Sequence, residues 1–173
     1  MGLLLTQIAA RLGARVIATV SSEEKERLAR GAGAADVIRY GDGVDVAAAV
    51  RALTDGVGVA AVYDGVGAAT FDASLASLRR RGMLALYGAA SGPVPPVDPM
   101  RLYDAGSVFL TRPTLAHYIA TPEELRQRAA SLFVYLADGL KVRIHRRYPL
   151  AEAGRAQADL ESRATTGKLL LIP

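Results

Sequence analysis

The order of its apolar segments is what most constrains this chain. Short runs rich in valine, isoleucine and alanine recur along it; the first three are each followed by a stretch with helical spacing, and the fourth by a loop holding Pro93, Pro95 and Pro96. Residues 16–20, 36–40, 59–63, 83–87 and 108–111 read as strands. Residues 2–12, a segment opening on Ser21-Ser22-Glu23-Glu24 and ending near Gly31 or Gly33, and residues 44–54 and 70–80 read as the helices between them. In the last of these, Phe71, Leu75 and Leu78 fall on one helical face. Apolar strands alternating with helices predict an α/β fold, a doubly wound parallel sheet covered on both faces and joined by right-handed crossovers. Arg79-Arg80-Arg81 is expected at a helix C-terminus, where cations complement the dipole.

The start of the chain sharpens this expectation. Helix 2–12 leads at once into strand 16–20, whereas a nucleotide-binding unit of this type places a strand and a glycine turn before its first helix. The sheet is therefore expected to lack its first strand. Strands 16–20 and 59–63 then share no neighbour, and each leaves backbone groups exposed along one edge. Strand 108–111, the last of the series, is expected at a sheet edge able to pair with a second copy, giving a homodimer.

The remainder has a different rhythm. Thr121-Pro122-Glu123-Glu124 supplies a threonine cap and an N1 proline for a helix over 122–138. Residues 142–146 alternate like an exposed-edge strand, 150–162 read as helix, and 168–173 as a closing strand.

Composition excludes several functions. The 173 residues contain no cysteine, so disulfides, thiolate metal sites and cysteine nucleophiles are ruled out. The two histidines, His117 and His145, lie far apart, and no metal site or histidine catalyst is expected. No apolar run approaches the length of a bilayer span and no leader pattern opens the chain, so a cytoplasmic protein is expected. The net charge of +4 permits nucleic-acid binding, but no recognition motif accompanies it and none is expected.

Ligands of doubly wound sheets bind outside the carboxyl ends of the strands. Gly65-Val66-Gly67 and Gly88-Ala89-Ala90-Ser91-Gly92 follow successive strands there, and glycine lets backbone approach a ligand closely, though it also serves simple turns. NAD sites usually end their second strand with an acid that binds the ribose. Here Ser21 and Ser22 occupy that position, with Lys25 one turn on. A hydroxyl with an ammonium suits a 2′-phosphate, and the same residues also read as a helix cap and a solvated lysine. Tyr40 could stack on an adenine or close the core. Asp64 could bind a ribose or cap the turn after it. Arg163 could reach a phosphate or a substrate, or lie on the surface.

Three segments carry a resemblance. Val62-Tyr63-Asp64-Gly65-Val66-Gly67, Thr111-Arg112-Pro113-Thr114-Leu115 and residues 161–173 (ESRATTGKLLLIP) resemble the quinone oxidoreductase, zeta-crystallin-like branch of the zinc-independent medium-chain dehydrogenase/reductase superfamily. The resemblance implies a Rossmann-type coenzyme domain over 1–139 and, over 140–173, a segment that returns to a GroES-like catalytic domain. It implies hydride transfer from NADPH to a quinone or activated enone, with the nicotinamide supplying the chemistry. Ser21, Lys25 and Tyr40 then fall at the 2′-phosphate and adenosine. Val66, Gly67, Tyr87, Gly88, Ala90, Ser91, Thr111 and Arg112 fall along the adenine, ribose and nicotinamide path. Gly2 matches the last glycine of the family's phosphate turn. Ala89 replaces an asparagine frequent in the family. A non-catalytic module that binds NADPH or pairs with a partner chain is the alternative.

Overall fold

The computed structural model describes residues 1–41, 43–162 and 165–173. Its elements run α1 (Gly2–Arg11), β1 (Ile17–Val20), α2 (Glu23–Gly31), β2 (Asp36–Arg39), α3 (Val46–Ala52), β3 (Val59–Asp64), α4 (Phe71–Ala76), β4 (Leu78–Leu86), α5 (Met100–Asp104), β5 (Phe109–Thr111), α6 (Pro122–Ala137), β6 (Ile144–Pro149), α7 (Ala153–Glu161) and β7 (Lys168–Ile172). Short 3-10 turns occupy Leu115–Tyr118 and Leu150–Glu152. Two compact units result, one of Met1–Arg39 with Ala130–Pro173, the other of Tyr40–Ala129.

In the first unit β1 and β2 pair in parallel, with Ile17 opposite Asp36 and Val20 opposite Arg39. Ser22 starts α2 by accepting the Lys25 N–H on its hydroxyl at 3.3 Å, the capping that the sequence predicts. The Gln7 side-chain amide exchanges two bonds with the Lys141 backbone, donating to its carbonyl at 3.0 Å and accepting from its N–H at 2.9 Å. β6 and β7 form a second parallel pair. Tyr148, in β6 opposite Leu171, is buried and donates its hydroxyl to Asp159 Oδ2 at 2.6 Å.

In the second unit β3, β4 and β5 form a parallel sheet in that order. Phe71, Leu75, Leu78, Leu84, Leu86 and Val108 make its core, and Leu84 is fully excluded from solvent. α6 opens with a reciprocal cap: the Glu124 N–H donates to Thr121 Oγ1 at 3.2 Å and the Thr121 N–H to Glu124 Oε2 at 3.1 Å.

Two features depart from the sequence expectations. α4 stops at Ala76, and β4 begins at Leu78, opposite Val59. Arg79-Arg80-Arg81 therefore opens a strand instead of closing a helix, and the dipole argument for it falls. Leu78 is 1% exposed; a strand buries it as completely as the helical spacing would. Between Leu78 and Met83 the ladder to β3 is irregular, and Arg81 takes a φ of 57°. The second departure is α5, a five-residue helix after the proline loop that no apolar period announces.

Among the described strands, β1 pairs only with β2 and β3 only with β4, so each keeps one open edge, as expected. β5 stands at a sheet edge, also as expected. Among the described residues, no helix is long and apolar enough to cross a membrane.

Candidate functional site

The sequence-selected residues lie in both units. Gly2, Ser21 and Lys25 belong to the first. Gly2 is the first residue of α1, and a side chain there would meet nothing within 4 Å. Ser21 directly follows β1, and Lys25 Nζ donates to Ser21 Oγ at 3.0 Å. Ser21 lies just before the Ser22 cap of α2 and Lys25 in its first turn, four residues on, which brings the two groups together. Glu26, in the same first turn, is engaged elsewhere: its carboxylate pairs with Arg30 at 2.9 Å and Arg39 at 3.2 Å. An ammonium beside a hydroxyl at the carboxyl end of a strand is a donor set suited to a phosphate oxyanion. Arg163 lies outside the described residues.

The second unit holds the strand-end turns. After β3 the chain turns at 64–67, and after β4 it turns at 87–92; backbone bonds join the two turns. The Asp64 carbonyl accepts from Tyr87 N–H at 2.8 Å, and the Val66 carbonyl accepts from Ser91 N–H at 2.7 Å. The Ser91 hydroxyl adds a second bond to Val66 O at 2.8 Å while accepting from Ala69 N–H at 3.0 Å. The glycines permit this approach. A Cβ on Gly88 would stand 2.3 Å from the Gly65 carbonyl oxygen, and one on Gly67, at φ +93°, 2.6 Å from Gly92 O. The Tyr87 ring lies over Gly65, 2.7 Å from where its Cβ would be. The room these glycines provide is thus filled by the two turns themselves.

Asp64 organises this corner. It is 4% exposed. Its carboxylate accepts from Val66 N–H at 2.8 Å, Gly67 N–H at 3.1 Å, Thr70 Oγ1 at 2.7 Å and Ser74 Oγ at 2.7 Å. Burial pushes its pKa upward. The bonds from Ser74, Thr70, Val66 and Gly67 favour the charged form, and together they hold it below the ordinary carboxylate value. Burial, with the nearby Asp64 charge, raises the Tyr87 phenol above its usual value, so Tyr87 stays neutral. Of the two roles open to Asp64 in the sequence, the structure displays the turn cap.

Thr70 and Ser74 are the residues that sequence reasoning missed. Their signal is an i,i+4 hydroxyl pair at the start of α4, after an aspartate that ends an apolar strand. Ala90 sits on the second turn, its N–H donating to Gly65 O at 3.3 Å. Thr111 ends β5 opposite Ala85, at the same sheet end as Asp64 and Leu86. Arg112 is exposed and donates to Pro113 O at 3.3 Å. Tyr40, just after β2, is 46% exposed. Among the described residues, no group of three or more histidines, cysteines, aspartates or glutamates is placed to hold a metal.

A parallel α/β arrangement with polar and glycine-rich strand ends defines a nucleotide-binding class of protein. Residues 1–134 match the zinc-binding dehydrogenase family, and the chain belongs to that family. It is similar to a quinone oxidoreductase of Pseudomonas aeruginosa, 45% identical over 174 residues, with 100% of this chain and 53% of the relative covered. The 2-haloacrylate reductase of a Burkholderia species is 40% identical, again across this whole chain and 52% of the relative. A mycobacterial structure solved with NADPH is 58% identical with a TM-score of 0.94, over 99% of this chain and 54% of that one. The Escherichia coli quinone oxidoreductase solved with NADPH is 43% identical with a TM-score of 0.93, over 99% and 53%. The chain thus spans about half the length of the curated relatives it matches, and its likeness to the quinone oxidoreductase branch runs from end to end.

Proposed function

We propose that this chain forms the coenzyme-binding portion of an NADPH-dependent oxidoreductase that reduces a quinone or an activated enone. The observation that carries the reading is the Ser21–Lys25 pair, with Nζ and Oγ 3.0 Å apart, at the strand end where an NAD site would present an acid. Two similar structures solved with NADPH support it. In this reading Ser21 and Lys25 hold the 2′-phosphate, Tyr40 stacks on the adenine, and the turns at 64–67 and 87–92 line the path of the adenosine. Thr111 and Arg112 lie toward the nicotinamide, while Gly2 approaches the phosphates; for Arg163, outside the described residues, the sequence reading of a phosphate or substrate contact stands as an expectation. Residues 1–139 are then the coenzyme domain and 140–173 the segment that returns to the catalytic domain. Bound NADPH supplies the hydride, and the chain's own residues bind and orient it. β5 pairs with a second copy in a homodimer, and the protein works in the cytoplasm.

A second reading is favoured by the open edges of β1 and β3. On it, the chain is a non-catalytic module that binds NADPH or accepts a strand from a partner. Incubation of the chain with NADPH and a simple quinone separates the two. Quinone-dependent loss of NADPH supports the enzyme. Saturable binding without turnover supports the module.

A further inference from the structure

After β3, each backbone N–H from Val66 to Thr70 is donated inside the protein. The Val66 and Gly67 N–H groups go to Asp64 Oδ1 at 2.8 and 3.1 Å. Ala68 N–H goes to Gly92 O at 3.2 Å and Thr70 N–H to Gly67 O at 3.0 Å. Ala69 N–H goes to the Ser91 hydroxyl at 3.0 Å. The carbonyls are engaged as well. Val66 O accepts twice from Ser91, at 2.7 and 2.8 Å, and Gly65 O accepts from Ala90 N–H at 3.3 Å. Gly67 O accepts from both Thr70 and Phe71 N–H at 3.0 Å. A phosphate cradle needs several converging free N–H groups, and here five consecutive ones are already donated inside the protein.

We infer that Asp64 is a positioning residue: with Ser91 it locks the Val66–Gly67 turn as a packing surface that meets the face of a base or sugar of the dinucleotide. This rests on the cofactor reading above and deepens it. The turn contributes shape, and charge recognition lies with Ser21 and Lys25. Asp64 holds the peptide before Val66 by its N–H and Ser91 the peptide after it by its carbonyl, so the turn's height and tilt depend on both. Thr70 and Ser74 complete the carboxylate's bonds and keep it from turning outward. A surface that recognises shape cannot tell a 2′-phosphate from a 2′-hydroxyl, so loss of Asp64 weakens NADPH and NADH alike.

The test is a titration of the chain and its variants with each cofactor, monitored by nicotinamide fluorescence. Asp64→Ala is expected to weaken both by about tenfold, the loss of charge-assisted bonds that set the turn, leaving their ratio unchanged. Asp64→Asn keeps the Oδ1 acceptor for Val66 and Gly67, because the hydroxyls of Thr70 and Ser74 can rotate, and it restores most of the affinity. Ser91→Ala moves affinity in the same direction as Asp64→Ala. A folded Asp64→Ala chain that binds like the unsubstituted one overturns the inference, and so does a shift in the NADPH-to-NADH ratio. Where Asp64→Ala does not fold, amide exchange of the unsubstituted chain decides. Protection of the Val66, Gly67, Ala68 and Ala69 amides that is equal with and without NADPH supports the packing surface. New hydrogen bonding of those amides to bound cofactor overturns it. If the unsubstituted chain binds neither cofactor, the cofactor reading fails and takes the inference with it. Binding indifferent to Asp64 removes the inference alone.

Discussion

Asp64 shows how one residue ties a turn to its chemistry. Its pKa in the folded chain lies below the ordinary value, so the unfolded chain binds its proton more readily. The stabilisation that this charge contributes is present above the unfolded pKa of about 3.9 and is lost as pH falls through the folded value. Thermal unfolding of the native chain and of Asp64→Asn, followed from neutral pH into acid, should show a constant gap down to about pH 4 that closes below it. A gap already closing near neutrality would place the pKa on the wrong side of the ordinary value. Lys25 yields a second prediction: reversal of its charge in Lys25→Glu should weaken NADPH by about tenfold or more and NADH much less. Equal losses for both cofactors would remove Lys25 from the 2′-phosphate site. The Ser21–Lys25 pair was legible in the sequence because its partners sit one helical turn apart. The bonds from Thr70 and Ser74 to Asp64 were not, since they form only after the chain reverses through the 64–67 turn. Gly65, Gly67 and Gly88 were legible as positions needing close approach. What approaches them, the opposite turn, is a tertiary fact that spacing does not carry.

Local chemistry predicted most of the elements. Ser22 and Thr121 cap the helices they were expected to cap, because the bonds involved reach only three residues along the chain. The α4–β4 boundary was misread because Phe71, Leu75 and Leu78 fit a helical period while Leu78 is buried as a strand residue. That junction has a support the sequence did not reveal. The Arg51 guanidinium, from α3, donates to the carbonyls of Gly56 and Val57 at 2.9 Å, Ala76 at 2.9 Å and Leu78 at 2.7 Å. It therefore fastens the end of α4 and the start of β4 to the turn before β3. Arg51→Met should lower the unfolding free energy by about 2 kcal/mol, since bonds from a charged donor are lost and carbonyls are left unpaired. Denaturant unfolding with an unchanged midpoint would show that solvent satisfies those carbonyls equally well.

The open edges of β1 and β3 and the edge position of β5 agree with the strand order expected from the sequence. The division into units was less legible: the sequence suggests a break near residue 139, whereas residues 130–173 cluster with 1–39. The contacts responsible, such as those of Gln7 with Lys141 and Arg11 with Asp138, join residues more than a hundred positions apart. Phe109, 58% exposed on β5, adds an apolar side chain to the edge proposed for dimerisation. Light scattering should give twice the 18.2 kDa chain mass, and a monomer at all concentrations would contradict that pairing. The proposed function stands on a site selective for NADPH. Equilibrium titration of the chain with NADPH and with NADH tests it most directly. Saturable binding is expected, with NADPH favoured by about tenfold or more through the ammonium and hydroxyl at Lys25 and Ser21. Absence of saturable binding, or equal affinity for the two cofactors, would contradict it.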